Sequence, residues 1–281
     1  MKNTAEVLLL AALCAQLCGC SLNRTAAKYT AGIISNGMPA YLEDGDAQTA
    51  RETLPGAIKL SEAVLQSDPD NADLLSVIAQ GDCGYAFMFL EDEDRGRASA
   101  FYERGAEFSR RALESAGIIS AGGNFNSAKV RRCDVPLVFW NAFCRAGYAQ
   151  LNLDKTDAMA DISKLDPLLD AVLALDPGYY YNGAHSLKAA IFAMRPPMFG
   201  GNPAKSQEHF DKALEGAGAA FLPNKLMYAK AYAVRAQDAA LFEKLLGEVI
   251  GAQDSPAGCR LANTVAKLKA KKLLETKNEL F

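Results

Sequence analysis

The chain has 281 residues, of which 50% are apolar, and a formal net charge of −3 at pH 7. A chain of this length can bury one large core or form a stacked array of repeats. Because the net charge is slightly negative and no long basic block occurs, the composition argues against a nucleic-acid partner. A membrane-spanning helix needs about 20 apolar residues, and no segment after Cys20 meets that requirement.

The N-terminal segment ends in the run Leu17-Cys18-Gly19-Cys20, after an apolar stretch that begins at Val7. A small residue before cysteine at such a position is typical of a bacterial lipoprotein signal, with residues 1–19 removed and Cys20 acylated. Two acyl chains suffice for stable anchoring, since each buried CH₂ contributes about 0.8 kcal/mol. We therefore expect a mature chain that begins at Cys20 and is lipid-anchored in the periplasm. Ser21, rather than aspartate, follows the acylated cysteine and favours the outer membrane; an ordinary N-terminal helix is the alternative.

The cysteines that remain after this processing are Cys83, Cys133, Cys144 and Cys259. They have neither CxxC spacing nor the close pairing of a metal knuckle. An oxidising compartment allows a disulfide, although a large core does not require one. We interpret them as small buried thiols, and the sequence leaves open whether any of them are bonded.

From Asp46 onward the sequence predicts helices almost throughout. Apolar residues recur at intervals of three and four, and Gly and Pro fall mainly between these stretches. We predict a lead-in segment over residues 20–45 and a single helical domain over residues 46–281. Polar residues interrupt the apolar run Val135–Leu151, so it predicts a buried helix. A final capping helix is expected from about Gly258 to Leu280, with an apolar stripe at Ala262, Ala266, Ala270, Leu273 and Leu274.

Several helical stretches have the spacing of tetratricopeptide repeats, in which small residues let paired helices approach and aromatic residues fill the space between pairs. Two of them end alike, at Asp68-Pro69 and Asp176-Pro177. The repeats are degenerate and unevenly spaced, so we predict an all-α fold: a compact array of helical hairpins with degenerate tetratricopeptide-like repeats and a C-terminal capping helix. The pattern occurs at Ala98, Tyr102 and Gly105, at Trp140, Phe143, Cys144 and Gly147, and at Ser206, Phe210, Ala213 and Leu214.

Short sequence segments spread over nearly the whole mature chain together point to a particular protein family. Each segment alone is weak evidence, but the combination is specific. They are Asn36-Gly37, Asp68-Pro69, Trp140 to Phe143, Leu175 to Tyr181 with Gly183-Ala184-His185, Arg195 to Pro203, Phe210 to Leu214, Arg260 to Asn263, Ala266-Lys267 and Ala270 to Leu274. In this combination the chain resembles the T-component lipoproteins encoded beside tripartite ATP-independent periplasmic (TRAP) transporters.

The resemblance implies a non-enzymatic periplasmic accessory of a TRAP-type transport system, with no cofactor. It also implies a homotrimer with an apolar pore or cavity, which docks the solute-binding P-component and relays a hydrophobic small molecule. The alternative is a tetratricopeptide-like scaffold lipoprotein for cell-envelope assembly. An enzyme is disfavoured, because the sequence shows no convergent acid, base and nucleophile.

The candidate ligand- or partner-lining residues cluster around two features of the C-terminal half. Gly200-Gly201 permits unusual backbone angles, and Asn202 can cap a helix that begins at Pro203. Met198 and Phe199 are therefore expected at a turn. There they either pack into the core or line a cavity. Three adjacent tyrosines on one helix point in different directions, so at least one hydroxyl meets water, a partner or a cavity. The full set is Trp140, Asn141, Tyr179, Tyr180, Tyr181, His185, Arg195, Met198, Phe199, Gly200 and Gly201.

Two further groups of polar residues are assigned no chemistry. His185 and His209, the only histidines, lack carboxylates at ligand spacing, so no metal site is predicted. The run from Glu91 to Asp94 lacks the spacing of a calcium loop and is interpreted as a solvated connection between helices. No catalytic residue is predicted.

Overall fold

The computed structural model describes the backbone of residues 2–253 and 255–281, and the side chains of residues 22–156, 158–253 and 255–281. Within these ranges all regular secondary structure is helical, and the single isolated bridge pairs Ile119 with Phe125. The prediction of an all-α fold is therefore confirmed. The side chain of Cys20, the predicted lipidation site, lies outside the described residues, and so do those of the predicted signal segment.

The helices follow one another with mostly short connections, the long exception being the segment 116–134 between the fourth and fifth helices. In chain order they are α1 (Lys2–Leu42), α2 (Ala47–Leu65), α3 (Ala72–Tyr85), α4 (Arg95–Ser115), α5 (Val135–Leu151), α6 (Thr156–Ile162), α7 (Leu165–Leu175), α8 (Tyr179–Met194), α9 (Pro203–Ala213), α10 (Leu222–Met227), α11 (Ala239–Gly251), α12 (Arg260–Glu275) and α13 (Lys277–Leu280). Two π-helical segments, Ala86–Leu90 and Tyr228–Ala233, extend α3 and α10. None of the described helices is long and apolar enough to cross a membrane.

The helix ends follow the local sequence signals. The Asp46 carboxylate accepts hydrogen bonds from the backbone N–H groups of Gln48 and Thr49 and so begins α2. The helices α2 and α7 both end before an Asp-Pro pair, as predicted. The predicted buried helix is α5, with the predicted bounds. The expected C-terminal helix is divided into α12 and α13, which meet at Thr276.

The helices pack mainly against their neighbours in the chain, among them α3 with α4, α4 with α5, α8 with α9 and α11 with α12. At the α4–α5 contact the ring of Tyr102 lies directly against Gly147. A Cβ atom on Gly147 would lie 2.4 Å from that ring, so only glycine allows this approach. The small and large residues of the repeat-like pattern therefore set the spacing between helices.

The buried apolar residues form two cores. The larger core contains residues of α1 to α8, with Trp140, Phe139 and Tyr102 among its largest buried side chains. The smaller core contains residues of α8 to α12 and includes Phe210 and Phe242. The junction between these two cores is the part of the molecule that holds the candidate site.

Cys83 on α3 and Cys144 on α5 form a disulfide. The interpretation as free buried thiols is therefore wrong for these two cysteines. They are 61 positions apart in sequence and become neighbours only because α3 and α5 pack together. Of the other two, Cys259 is a buried free thiol and Cys133 is exposed.

Candidate functional site

A cavity of about 390 Å³ lies at the junction of the two cores. Its walls are the second halves of α5 and α8, the π-helical segment after α3 and the π-helical segment after α10. Most of its lining is apolar, and the polar groups are Glu91, the Tyr102 hydroxyl, Gln150, Lys230 and Arg235. A volume of this size is within the range of ligand-binding pockets, about 300–1,000 Å³.

A smaller and more aromatic chamber of about 60 Å³ adjoins this cavity. Its walls come from the first halves of the same helices and include Trp140, Tyr180 and Phe221. Four side chains line both spaces and so form the partition between them: Phe87, Phe143, Leu187 and Met227. The larger cavity and the aromatic chamber are thus consecutive along the axes of α5 and α8.

Helical periodicity explains how α5 and α8 build this wall. On α5, Trp140, Phe143, Gly147 and Gln150 follow one another at intervals of three and four residues, so they share one face of the helix. On α8 the same spacing relates Gly183, Leu187, Ala190 and Met194. Each helix therefore presents aromatic or small residues at one end of the wall and aliphatic or polar residues at the other.

The two π-helical segments supply the opposite wall. Phe87, within the first segment, projects into both spaces, and Met227 directly precedes the second segment. The Lys269 ammonium on α12 donates a hydrogen bond to the Phe87 carbonyl and lies 5.0 Å from the centre of the Phe87 ring. Wider helical turns of this kind are frequent at functional sites, and here α12 holds one of them in place.

A partly buried charge cluster forms part of this wall. The Tyr102 hydroxyl donates a hydrogen bond to Glu91, whose side chain is only 6% exposed. The Lys230 ammonium lies 3.5 Å from Glu91 and 3.4 Å from Asp92, and the Lys269 ammonium lies 2.9 Å from Asp92. The interpretation of this acidic run as a solvated connection is therefore wrong for Glu91, because α4, α12 and the second π-helical segment enclose it.

Neighbouring charges decide the ionisation of this cluster. Burial disfavours the charged form of Lys230 and lowers its pKa. The attraction to the carboxylates of Glu91 and Asp92 has a larger and opposite effect, so the pKa of Lys230 lies above its ordinary value. Burial raises the pKa of Tyr102 well above its ordinary value, and the nearby Glu91 carboxylate adds to this. Lys230 is therefore a charged and paired part of the wall at neutral pH.

Arg235 lies at the rim of the larger cavity and is exposed. Among the described residues it forms no ion pair, whereas Glu91 and Lys230, the other charged lining groups, are paired. The rim therefore carries one uncompensated positive charge beside an apolar interior.

The three tyrosines adopt an unexpected backbone conformation. Tyr180, Tyr181 and Asn182 all have left-handed backbone angles, with φ of 47°, 57° and 61°. The expectation of three phenols on one regular helix is therefore wrong. Each such non-glycine residue costs on the order of 1–3 kcal/mol and persists only where its surroundings enforce it. Here the Asn182 amide donates hydrogen bonds to the carbonyls of Lys212 and Glu215, at 3.2 and 2.8 Å.

This turn gives the three rings different principal partners within one aromatic cluster, in which the ring centres of adjacent tyrosines are 6.2 and 6.0 Å apart. Tyr180 lines the aromatic chamber, with its ring centre 5.0 Å from that of Trp140. Tyr181 stacks on Phe221 at 4.8 Å, and Tyr179 packs edge-on against Phe139 at 5.3 Å. Burial raises the pKa of Tyr179 to about 12. Of the predicted set, the structure thus brings Trp140 and Tyr180 together in the wall of the aromatic chamber.

Asn141, Arg195 and His185 lie elsewhere. The Asn141 amide donates hydrogen bonds to Ser109 and to the Ala106 carbonyl of α4, at 2.9 and 3.2 Å. Arg195 is buried, and its guanidinium is 2.7 Å from the Asp166 carboxylate and 2.6 Å from the Ile162 carbonyl. His185 pairs with His209 through their Nδ1 atoms at 2.9 Å. Within the described part of the chain, no group of three or more His, Cys, Asp or Glu residues is placed to hold a metal ion.

Met198 and Phe199 form an exposed tip between α8 and α9, with 83% and 61% of their surface exposed. They neither pack into the core nor line the cavity. Gly200 has a φ of 87°, and a Cβ atom on Gly201 would lie 1.9 Å from the Arg195 carbonyl oxygen, so both glycines shape this loop. The Asn202 side chain caps α9 by accepting a hydrogen bond from the backbone N–H of Lys205, as predicted.

Sequence analysis did not identify several residues that line the cavity, above all Phe87, Met227, Lys230 and Arg235. An aromatic or methionine residue at helical spacing gives the same pattern whether it faces a core or a cavity. The π-helical turn that contains Phe87 and the one that follows Met227 leave no mark on the apolar periodicity. The unbroken helical character around Ala86–Leu90 therefore gave no signal that a wall of the site begins there.

The fold and this site define an all-helical protein with an apolar cavity between two cores. Residues 43–281 match the family described as TRAP transporter T-component, TAtT. The match covers most of the chain, so the chain belongs to this family, which is one of transport accessories and not a known enzyme family. No curated protein matches the chain at a significant level.

Proposed function

We propose that this chain is a lipid-anchored periplasmic T-component that docks the solute-binding P-component of a TRAP transporter and relays an apolar ligand. The observation that carries this proposal is the largely apolar cavity of about 390 Å³ between the two cores. Apolar lining with few polar groups is typical of sites that hold a small hydrophobic molecule.

The tip formed by Met198 and Phe199 is the proposed contact with the P-component. Exposed apolar residues that stand together are characteristic of interaction sites, and methionine and aromatic side chains are enriched at the centres of interfaces. The buried ion pair of Arg195 with Asp166 and the close packing of Gly201 hold this tip in a defined position. A rigid tip loses little conformational entropy when it binds.

The proposed location outside the cytoplasm has support from the Cys83–Cys144 disulfide. Disulfides persist in oxidising compartments such as the bacterial periplasm and are rare in the cytosol. The lipoprotein motif ending in Cys20 and the homotrimer are further parts of the proposal.

The docking role is tested with a purified solute-binding P-component of a TRAP transporter from the same organism. We expect the double variant Met198→Gln, Phe199→Asn to bind it at least about tenfold more weakly, since central interface residues contribute more than 1 kcal/mol each. The free energy of unfolding should change by no more than about 0.5 kcal/mol, because both side chains are exposed. Titration calorimetry and thermal melts provide the two measurements.

Leu60→Asn serves as the matched control, because Leu60 on α2 is 61% exposed and distant in sequence from the tip. This control should bind the P-component like the wild type. Unchanged binding by the double variant would place the docking surface elsewhere. Absence of binding by the wild type would overturn the accessory role itself.

A further inference from the structure

The polarity of the larger cavity changes along its length. Towards the aromatic chamber its lining is Phe143, Gly147 and Leu187, whereas at the opposite end it includes Gln150 and Arg235. The paired groups Glu91 and Lys230 line one side between these ends, because Glu91 accepts a hydrogen bond from Tyr102, whose ring lies against Gly147. An apolar molecule without a polar group would leave the second end unused. The lining therefore favours a ligand with one apolar and one polar end.

The charged residues of the lining determine whether the polar group of the ligand is anionic or cationic. The Glu91 carboxylate forms ion pairs with Lys230 and with Lys269, and Lys230 also pairs with Asp92. A cationic ligand would have to compete for carboxylates that already have partners. Arg235 has no ion pair among the described residues, so its guanidinium is free to bind an anion.

We propose that the larger cavity binds a straight-chain anionic amphiphile of the carboxylate class, with its carboxylate on Arg235 and its alkyl chain in the apolar interior. Guanidinium matches the geometry of a carboxylate with two parallel hydrogen bonds, which an ammonium cannot provide. This inference rests on the proposed function, in which the cavity holds a ligand, and adds its chemical class.

The dimensions of the site favour a single unbranched chain. The cavity wall on α5 extends from Phe143 to Gln150, which corresponds to a rise of about 10 Å along the helix axis. The partition of Phe87, Phe143, Leu187 and Met227 closes the inner end, where the methyl end of the chain would lie. Trp140 lines the chamber on the other side of this partition and is the only tryptophan of the chain. Its fluorescence therefore reports on occupancy of the cavity.

The experiment uses the mature chain, residues 20–281, with Cys20→Ser to avoid detergent. Dodecanoate and dodecanol are titrated below their aggregation concentrations, by calorimetry and by Trp140 fluorescence. We expect dodecanoate to bind once per chain, and Arg235→Ala to weaken it at least about tenfold, because each of the two charge-assisted hydrogen bonds contributes about that factor. Dodecanol binding should change less than twofold. Lys244→Ala, which removes an exposed charge on α11 away from the cavity, should change neither.

A second variant separates the cavity from the outer surface. Ala231 lines the larger cavity and is partly exposed, so Ala231→Phe fills part of the space. It should abolish binding of both probes while the helical circular dichroism is retained. Wild-type affinity in Ala231→Phe, equal losses for both probes in Arg235→Ala, or absence of dodecanoate binding would each overturn the inference. Docking of the P-component without dodecanoate binding would leave the accessory role intact, and dodecanoate binding without docking would leave only the ligand class.

Discussion

At Gly147, the absence of a single methyl group decides how closely α4 and α5 approach. A Cβ atom there would lie 2.4 Å from the Tyr102 ring. This ring is buried, and its hydroxyl donates a hydrogen bond to Glu91. We expect Gly147→Ala to lower the free energy of unfolding by about 1–3 kcal/mol, because the well-packed ring cannot move without disturbing its neighbours. Thermal and denaturant unfolding would measure this.

Gly247 on α11 provides the matched control, since a Cβ atom there would meet nothing within 4 Å. Gly247→Ala should stabilise the chain by about 0.4–1 kcal/mol, because alanine restricts the unfolded chain. Equal effects of the two substitutions would show that helix propensity, and not the contact with Tyr102, is decisive.

The pairing of His185 with His209 predicts a pH-dependent stability. Burial, the adjacent His185 imidazole and nearby lysines lower the pKa of His209 to about 4, and burial also lowers that of His185. Between the ordinary histidine pKa of about 6.5 and that lower value, the unfolded chain binds protons that the folded chain does not. The free energy of unfolding should therefore fall as the pH drops through this window.

Denaturant unfolding at several pH values compares the wild type with His209→Phe. The phenyl ring can still pack against Phe192, whose ring stacks on His209 in the native chain. The variant should lose part of the slope below pH 6.5, because one titrating group is removed. An identical slope in both proteins would mean that His209 does not contribute to the acid sensitivity.

At the scale of elements, the disulfide is the covalent link between α3 and α5. Both helices contribute to the site, since Phe87 follows α3 and Phe143 precedes Cys144. Replacing both bonded cysteines with alanine should lower the free energy of unfolding by about 4 kcal/mol, the chain-entropy value for a loop of this length. The measurement is denaturant unfolding without reductant.

Cys133→Ala is the corresponding control, because this cysteine is exposed and unbonded. It should leave stability within about 0.5 kcal/mol of the wild type. A wild type whose melting temperature is the same with and without reductant would contradict the assigned role of the disulfide.

At the scale of the whole molecule, the first helix predicts self-association. Leu22, Tyr29 and Ile33 are 70%, 75% and 72% exposed, and their spacing places them on one face of α1. We expect light scattering of the mature chain with Cys20→Ser to give the mass of three chains. Tyr29→Asn with Ile33→Asn should shift this towards the monomer, because exposed apolar faces of this kind mark interaction surfaces.

Leu60→Asn on α2 should leave the assembly unchanged, because Leu60, although 61% exposed, is on another helix and does not belong to this stripe. A wild type that is monomeric at micromolar concentration would remove the trimer from the proposed function. The helical fold and the cavity would stand unaffected.

The sequence by itself determined the all-helical fold, the bounds of α5, the Asp-Pro helix ends and the cap at Asn202. It also carried the family resemblance that the match over residues 43–281 confirms. These features depend on local properties: apolar periodicity, capping hydrogen bonds and the restrictions of proline and glycine. They can be predicted because each depends on residues within a few positions of one another.

The tertiary structure alone decided the site. Phe87 and Met227 face the same cavity because the fold brings two distant segments together, and Cys83 meets Cys144 because α3 packs on α5. The left-handed turn at Tyr180 to Asn182 depends on carbonyls that α9 and the turn after it bring near Asn182. Contacts of this kind join residues far apart in the chain, and local periodicity gives the same pattern for a side chain that lines a cavity as for one that fills a core.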